Sequence, residues 1–350
     1  MTPAELGYRL PAEWEPHAAT WLAWPCRPAT WLGDFAAIPA AYARVARQIA
    51  AFEPVRIVGT GAVLAEARRH LADVAAVTFV DVPTNDSWIR DTGPVFVRRP
   101  HTAAGRPAGS EIAAVTWGWN AWGGKYPPWD ADARVAATIA EHLGLRAFAP
   151  GIVLEGGAIE TDGAGTLLAN ERCVVDPKRN RDLDRDGMER VLRENLGVER
   201  VLWVGGELAG DDTDGHIDQL ARFVAPGCVV AARQPDRLDP NHAPLAANLE
   251  LLRSLRDAAG RRLEVIPIDI PPRFSFEGVQ LPASHLNFYV GNGFVGVPVF
   301  GAATDEAALG IIAACFPGRR AVPIDCREIV RGRGGLHCIT RDEPSVASSR

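Results

Sequence analysis

Several features that mark large classes of protein are missing from this sequence. No stretch approaches ~18 uninterrupted apolar residues, so we expect no membrane-spanning helix. Residues 1–16 have no basic patch followed by an apolar run, so we expect no secretory signal. The formal net charge of −6 argues against nucleic acid as the main partner.

Paired cysteines are also missing. The six cysteines are scattered along the chain, and no two of them form a CxxC pair. This spacing predicts a reduced, cytoplasmic protein that has no structural zinc.

No linker and no block of like charge divides the 350 residues. An apolar share of 47% is enough for a sizeable core. We therefore predict that residues 1–350 form one large domain, or a ring of repeated units, rather than two separate domains.

What the sequence does contain is a series of five polar stretches. They recur at intervals of roughly 60 residues, each beside a predicted strand and most separated by a predicted helix. One such helix is predicted over residues 244–259, because its leucines fall on one stripe. A closed ring of ββαβ-like units would bring all five stretches to one axis. The stretches are residues 85–94, 153–160, 210–218, 282–289 and 332–340.

The third polar stretch reads GDDTDGHID and places four carboxylates and one imidazole between two apolar runs. His216 and Asp218 are two residues apart, so on an extended segment their side chains point the same way. By itself, such a run is also typical of a solvated acidic turn. With the other stretches beside it, it suits a cationic ligand and proton transfer.

The fifth polar stretch contains Cys338, directly after His337 in a glycine-rich turn. A thiol with a pKa of ~8.5 needs activation before it attacks as a thiolate. A cysteine with histidine and acids elsewhere in the chain is the pattern of a nucleophile with a proton carrier. Taken alone, each of the six cysteines is more typical of a small buried apolar residue, and we interpret the other five in this way: Cys26, Cys173, Cys228, Cys315 and Cys326.

The acids of the stretches indicate which electrophile the thiol attacks. If four of these acids converged on one pocket, they would repel an anionic substrate and hold a planar guanidinium in bidentate fashion. An aromatic wall such as Trp88 would add a cation–π attraction of ~0.5–2 kcal/mol. The residues therefore predict a thiol-dependent hydrolase that acts on a guanidine. The acids are Asp91, Glu155, Asp212 and Asp218.

Five motifs, in this order, resemble the agmatine deiminases of the guanidine-modifying pentein superfamily: NDSWIRDTGP, LEGG, GDDTDGHID, ASHLNFY and GGLHCIT. The sequence is similar also to bacterial peptidylarginine deiminases, and the resemblance covers residues 11–344. It implies a five-bladed pentein α/β propeller with pseudo-fivefold symmetry. It further implies hydrolysis of agmatine to N-carbamoylputrescine and ammonia, no metal or organic cofactor, and a possible homodimer.

The resemblance also implies a role for each matching residue. Cys338 would be the nucleophile, His216 the general acid and base, and Asp91 and Asp218 the ligands of the two sides of the guanidinium. Glu155 would either bind the ligand or hold a glycine-rich turn. The remaining expected substrate-binding residues are Trp88, Asp212, Asn287 and Gly335.

The sequence departs from the family pattern near the expected substrate tail. Asp212 stands where the family often has glutamate, and Arg333 and Gly335 stand where glycine and asparagine are more common. Three alternatives to agmatine hydrolysis therefore stay open: deimination of free or C-terminal arginine, amidino transfer to an amine, and a non-catalytic polyamine-binding module. Polyamine synthesis and nitrogen scavenging both fit as the pathway.

Overall fold

The computed structural model describes residues 1–101 and 109–346. Within them the chain forms an α/β structure of short strands and helices. The helices are α1 (Ala37–Ala50), α2 (Gly61–Leu71), α3 (Ile89–Thr92), α4 (Ala121–Gly124), α5 (Asp132–His142), α6 (Glu171–Val174), α7 (Arg185–Leu196), α8 (His242–Ser254) and α9 (Asp305–Cys315).

The strands are short and mostly buried. They are β1 (His17–Ala23), β2 (Val55–Gly59), β3 (Val77–Asp81), β4 (Val95–His101), β5 (Gly109–Val115), β6 (Arg146–Phe148), β7 (Ile159–Thr161), β8 (Thr166–Asn170), β9 (Arg200–Val204), β10 (Ala221–Ala225), β11 (Cys228–Arg233), β12 (Glu264–Asp269), β13 (Ser275–Phe276), β14 (Val279–Gln280), β15 (Tyr289–Gly291), β16 (Phe294–Val299), β17 (Arg320–Asp325) and β18 (Arg341–Pro344).

The sheets repeat one pattern. In β4-β5-β6, β7-β8-β9, β10-β11-β12 and β15-β16-β17, the first two strands are antiparallel and the third is parallel to the second. A parallel partner needs a crossover connection, and α5, α7, α8 and α9 provide it in these four sheets. Strands β13 and β14 form a separate hairpin.

The fifth sheet joins the two ends of the chain. Its strand order is β18-β1-β2-β3, with β18 antiparallel to β1 and β2 parallel to β1. Strand β18 therefore takes the place of the first strand in the repeated pattern, although it comes last in the sequence.

The longer helices bury an apolar face, as α1 shows. In α1, the residues Ile38, Tyr42, Val45 and Ile49 fall at helical spacing, and all four are buried. The helix predicted over residues 244–259 is α8, but it ends at Ser254. Leu255 is extended, and the following residues form a short turn closed by an Arg256–Arg262 bridge, so the leucine stripe outlasts the helix.

The polar stretches occupy equivalent places. Each ends just before, or runs into, the first strand of a sheet: β4, β7, β10, β15 and β18. One-turn helices mark three of them, namely α3 in the first stretch and 3-10 helices at Gly156–Ala158 and Ile217–Gln219 in the second and third. Among residues 1–101 and 109–346, no helix is long and apolar enough to cross a membrane.

Candidate active site

A cavity of about 180 Å³ collects side chains from three of the five polar stretches. Six of the nine residues expected at the site line this cavity. They are Trp88, Asp91, Asp212, His216, Asp218 and Cys338.

Cys338 is almost completely buried, with 6% of its surface exposed. Its Sγ lies 3.3 Å from Asn287 Nδ2, which donates to it, and 3.8 Å from Asp218 Oδ2. Burial, and then the charges of Asp218 and Asp91, raise the pKa of the Cys338 thiol well above its usual range. Burial and these two acids therefore disfavour the thiolate.

Asp218 is fully buried, and only one of its two carboxylate oxygens accepts a hydrogen bond from the described residues. Its Oδ2 lies 2.8 Å from His337 Nδ1, whereas its Oδ1 has no hydrogen-bond partner among the described residues. Burial alone would raise the pKa of Asp218, but the hydrogen bond with His337 and the charges of His216 and Arg222 outweigh it and lower the pKa. An ionised, buried oxygen beside a cavity is suited to accept from a ligand N–H.

Asp91 is held by two donors. The indole Nε1 of Trp122 donates to Oδ2 at 3.0 Å, and the backbone N–H of Gly157 donates to Oδ1 at 2.9 Å. Burial raises the pKa of Asp91, and the nearby charge of His216 acts in the opposite direction. The two donors fix the orientation of the carboxylate at the cavity wall.

His216 lies between two acids. Its Nδ1 is 3.9 Å from Asp91 Oδ1, and its Nε2 is 3.7 Å from Glu155 Oε2. At 3.7 Å the second pair is an electrostatic contact rather than a hydrogen bond, and Nε2 has no hydrogen-bond partner among the described residues. Burial disfavours the imidazolium, but the charges of Asp91, Glu155 and Asp218 outweigh it and raise the pKa of His216 to about 9.

Glu155 lies behind His216 and does not line the cavity. Its two oxygens accept from Arg179 Nε at 2.8 and 2.9 Å, and both side chains are 1% exposed. Burial opposes its ionisation, but contacts with His216 and Arg179 lower its pKa. Of the two roles expected for Glu155, its position fits support of the site rather than contact with a ligand.

Asn287 and Gly335 also lie outside the cavity wall. Besides donating to Cys338 Sγ, Asn287 accepts from the backbone N–H of His337 at 2.8 Å through Oδ1. A side chain on Gly335 would collide with Asn287, so glycine allows the fifth stretch to pack against this amide. Both residues shape the loop that presents the sulfur.

Aromatic rings form one wall of the cavity. Trp88 stacks on Trp31 with ring centroids 5.4 Å apart, and a Cβ at Gly332 would lie 2.8 Å from the Trp88 ring. On the opposite end, Asp212 accepts a hydrogen bond from the hydroxyl of Tyr126. Burial raises the pKa of Asp212, and the Tyr126 hydrogen bond opposes the rise.

Sequence reasoning missed several residues of the site. Trp122 and Tyr126 line the cavity and orient two of its acids, yet they lie outside all five polar stretches. The available signal was weak: three tryptophans and paired glycines in one short segment. Trp122 itself has a φ of 55°, a left-handed conformation that no sequence pattern announces for tryptophan.

The described residues contain no cluster of three or more His, Cys, Asp or Glu side chains that could hold a metal ion. What they bring together is a thiol, an imidazole with a raised pKa and two buried carboxylates around one cavity. This arrangement can bind a planar cation, attack it with sulfur and move a proton.

Comparison with known proteins agrees with this chemistry. The sequence pattern of the Porphyromonas-type peptidyl-arginine deiminase family matches residues 9–344. Agmatine deiminase from Ectopseudomonas mendocina is 39% identical over 367 aligned residues, which cover 98% of this chain and 97% of that protein. Agmatine deiminase from Pseudomonas aeruginosa is 37% identical with the same coverage.

A solved structure extends the similarity to the whole fold. Agmatine deiminase of Enterococcus faecalis, described as catalysing its reaction, superposes with a TM-score of 0.93 at 33% identity. The match covers 99% of this chain and 98% of that one. The chain therefore belongs to the Porphyromonas-type peptidyl-arginine deiminase family.

Proposed function

We propose that this protein hydrolyses agmatine to N-carbamoylputrescine and ammonia. The observation that carries the proposal is the placement of Cys338, His216, Asp91 and Asp218 around one buried cavity. Relatives that match this chain over almost their full length are named for the same activity.

The acids select and orient the guanidinium. Asp91 and Asp218 accept N–H groups from its two sides, and the free Oδ1 of Asp218 gains the partner that it lacks. The Trp88 ring covers the planar cation. Asp212, at the same cavity wall as Tyr126, takes the ammonium at the other end of agmatine.

Binding of the substrate activates the nucleophile. Burial and the two carboxylates raise the pKa of the Cys338 thiol. A guanidinium placed between Asp91 and Asp218 cancels their charge, so the penalty on the thiolate falls when the substrate arrives. The thiol then releases its proton to bulk water, and the thiolate is formed next to its target while His216 stays protonated.

The reaction proceeds by addition and elimination in two rounds. The Cys338 sulfur forms a bond to the central guanidinium carbon, and a C–N bond breaks as His216 protonates the departing ammonia. This leaves an amidino-thioether. Water then adds to the same carbon, His216 takes its proton, and the C–S bond breaks to release the ureido product. General acid–base assistance of this kind contributes ~10²–10⁴-fold.

We also propose that residues 1–350 form one catalytic domain in which the five main sheets are blades of a propeller. The equivalent position of every polar stretch, just before a first strand, supports this arrangement. A reducing compartment such as the cytoplasm suits a reactive thiol and five further free cysteines.

Arg333 favours a second candidate, deimination of free arginine. It lines the cavity, and none of the hydrogen bonds or ion pairs among the described residues occupies its guanidinium. Its charge lowers the pKa of Asp212, although burial of that carboxyl is the larger influence. A cation beside Asp212 would pair with the carboxylate of an arginine tail, which agmatine lacks.

One assay separates the candidates. Ammonia and ureido product are measured with agmatine, arginine and arginyl peptides, for the parent and Cys338→Ser. We expect ammonia from agmatine at the highest kcat/KM, and loss of the activity in Cys338→Ser. A preference for arginine would favour the second candidate, and no ammonia from any guanidine would favour a binding module.

A further inference from the structure

Glu13, in the segment before β1, is a buried carboxylate with four polar partners. His337 Nε2 lies 2.7 Å and Arg90 Nη2 3.0 Å from its Oε2. The backbone N–H of Val290 donates to Oε1 at 2.8 Å, and Arg222 Nη2 donates to the same oxygen at 3.2 Å. These contacts use the acceptor capacity of both oxygens.

Each of the four partners belongs to a segment that also carries a residue of the proposed site. Glu13 does not line the main cavity, so it reaches the site only through these neighbours. The pairs are Arg90 with the adjacent Asp91, His337 with the adjacent Cys338, Arg222 with the nearby Asp218, and Val290 with the nearby Asn287.

His337 is the shortest of these links. Its Nδ1 lies 2.8 Å from Asp218 Oδ2 while its Nε2 lies 2.7 Å from Glu13 Oε2. Both ring nitrogens thus lie within hydrogen-bond distance of a carboxylate, and the imidazole donates to both when it is protonated and to one when it is neutral. The same Asp218 lines the cavity, and its Oδ1 has no hydrogen-bond partner among the described residues.

Stability alone does not explain this cluster. Replacing a buried ion cluster with well-packed apolar groups is often neutral or stabilising, because desolvation offsets the Coulomb attraction. A carboxylate that joins segments from four parts of the sequence instead gives them one fixed geometry. Misplacing a reacting group by about 1 Å can cost ~10²-fold in rate.

We propose that Glu13 is a positioning residue, which aligns Asp218 and Cys338 for attack by holding His337 and Arg90 in place. The proposal rests on the proposed function for its kinetic test. A second test, which needs no knowledge of the substrate, separates the failure of one from the failure of the other.

The first test compares Glu13→Gln with a matched control, Glu53→Gln. Glu53 is also buried, and it accepts from the backbone N–H of Asn292, from the Tyr289 hydroxyl and from Thr20. We expect a loss of ~10²-fold in kcat/KM for agmatine in Glu13→Gln. Glu53→Gln should keep the parental kcat/KM even if its Tm falls by as much as that of Glu13→Gln. Parental activity in Glu13→Gln, or equal losses in both, would overturn the proposal.

Substitutions of His337 remove its contacts with Asp218 or Glu13 and leave the other contacts of Glu13 in place. His337→Asn keeps a donor near the Nδ1 position, and His337→Gln keeps one near the Nε2 position; both should lose activity. If Glu13 acts through His337, the kcat/KM of the double variant Glu13→Gln/His337→Asn should be no lower than that of the less active single variant. A loss equal to the product of the two single losses would show independent roles and contradict the link.

The substrate-independent test measures alkylation of Cys338. A small cationic reagent, 2-chloroacetamidine, needs the aligned acids and sulfur, whereas neutral iodoacetamide needs only access. Labelling of the Cys338 peptide, followed by mass spectrometry, should slow at least tenfold for the amidine in Glu13→Gln or His337→Asn relative to iodoacetamide. An unchanged ratio would overturn the positioning role, even if the parent released no ammonia from agmatine.

Discussion

Replacing Glu155 with glutamine should lower the pKa of His216 while leaving the affinity for agmatine nearly unchanged. The carboxylate lies 3.7 Å from His216 Nε2 and outside the cavity wall, so it acts on the imidazole and not on the ligand. Glutamine keeps the shape of the side chain and removes its charge. The neighbouring Arg179 keeps its ion pairs with Asp176 and Asp214, but no carboxylate then lies between it and His216, which disfavours the imidazolium further.

The size of the effect follows from these distances. Two unit charges about 4 Å apart interact by about 4 kcal/mol at an effective dielectric of about 20. In the parent, Arg179 cancels much of this field because its Nε binds both Glu155 oxygens. If about 1.4 kcal/mol of the attraction between Glu155 and His216 remains after this cancellation, Glu155 raises the proton affinity of His216 about tenfold. The titration midpoint of His216 should therefore move from about pH 9 by about one pH unit toward neutrality.

Nuclear magnetic resonance of protein with labelled histidine measures this midpoint directly, with the His216 signal assigned from His216→Asn. The KM for agmatine is measured on the same samples at pH 7, where His216 stays mostly protonated in both proteins. An unchanged midpoint together with a KM raised many-fold would refute the reasoning. It would place Glu155 against the substrate instead.

Three further changes have expected outcomes. Trp122→Phe removes the donor to Asp91 and should cost roughly 10–100-fold in kcat/KM, since hydrogen bonds to charged groups contribute about 1.5–3 kcal/mol. The control is Trp117→Phe, which should keep parental activity because the buried indole N–H of Trp117 has no partner among the described residues. Equal losses in the two variants would contradict the role of Trp122 in orienting Asp91. Arg333→Met should raise the ratio of kcat/KM for agmatine to that for arginine, measured by ammonia release, and an unchanged ratio would remove Arg333 from substrate selection. Burial opposes protonation of His17 and His216, but neighbouring acids raise the pKa of each to about 9, chiefly Glu53 for His17 and Asp91 for His216. The stabilisation that these two histidines give the folded protein is therefore complete below pH ~6.5 and is lost as the pH rises through about 9. Urea unfolding across this range should show the decline, and a smaller one in His17→Asn or His216→Asn; a flat profile would contradict it.

The sequence is informative where local pattern and chemistry coincide. Apolar strands, the Asn292–Gly293 turn between β15 and β16, and the recurring polar stretches can all be read within short windows. Residues such as Asp91 and His216 could be singled out because acids and imidazole next to glycine are unusual beside buried strands. Their meeting at one cavity follows from the equivalent place of each stretch in its sheet.

Contacts between distant segments could not be read in the same way. The pairing of Glu155 with Arg179 gives no local signal, because any surface arginine would look the same in the sequence. The segment around Glu13 could be assigned only as packing or a pocket wall, whereas its carboxylate meets His337 across more than three hundred residues. Such contacts depend on which loops the fold brings together.

The central claim is that the Cys338 sulfur attacks a guanidinium carbon held between Asp91 and Asp218. Rapid acid quench of the enzyme during turnover of agmatine, followed by mass spectrometry of the Cys338 peptide, tests it most directly. The mechanism predicts an amidino adduct on Cys338 that appears before ureido product accumulates. Agmatine turnover at the parental rate in Cys338→Ser, or an adduct confined to another residue, would contradict it.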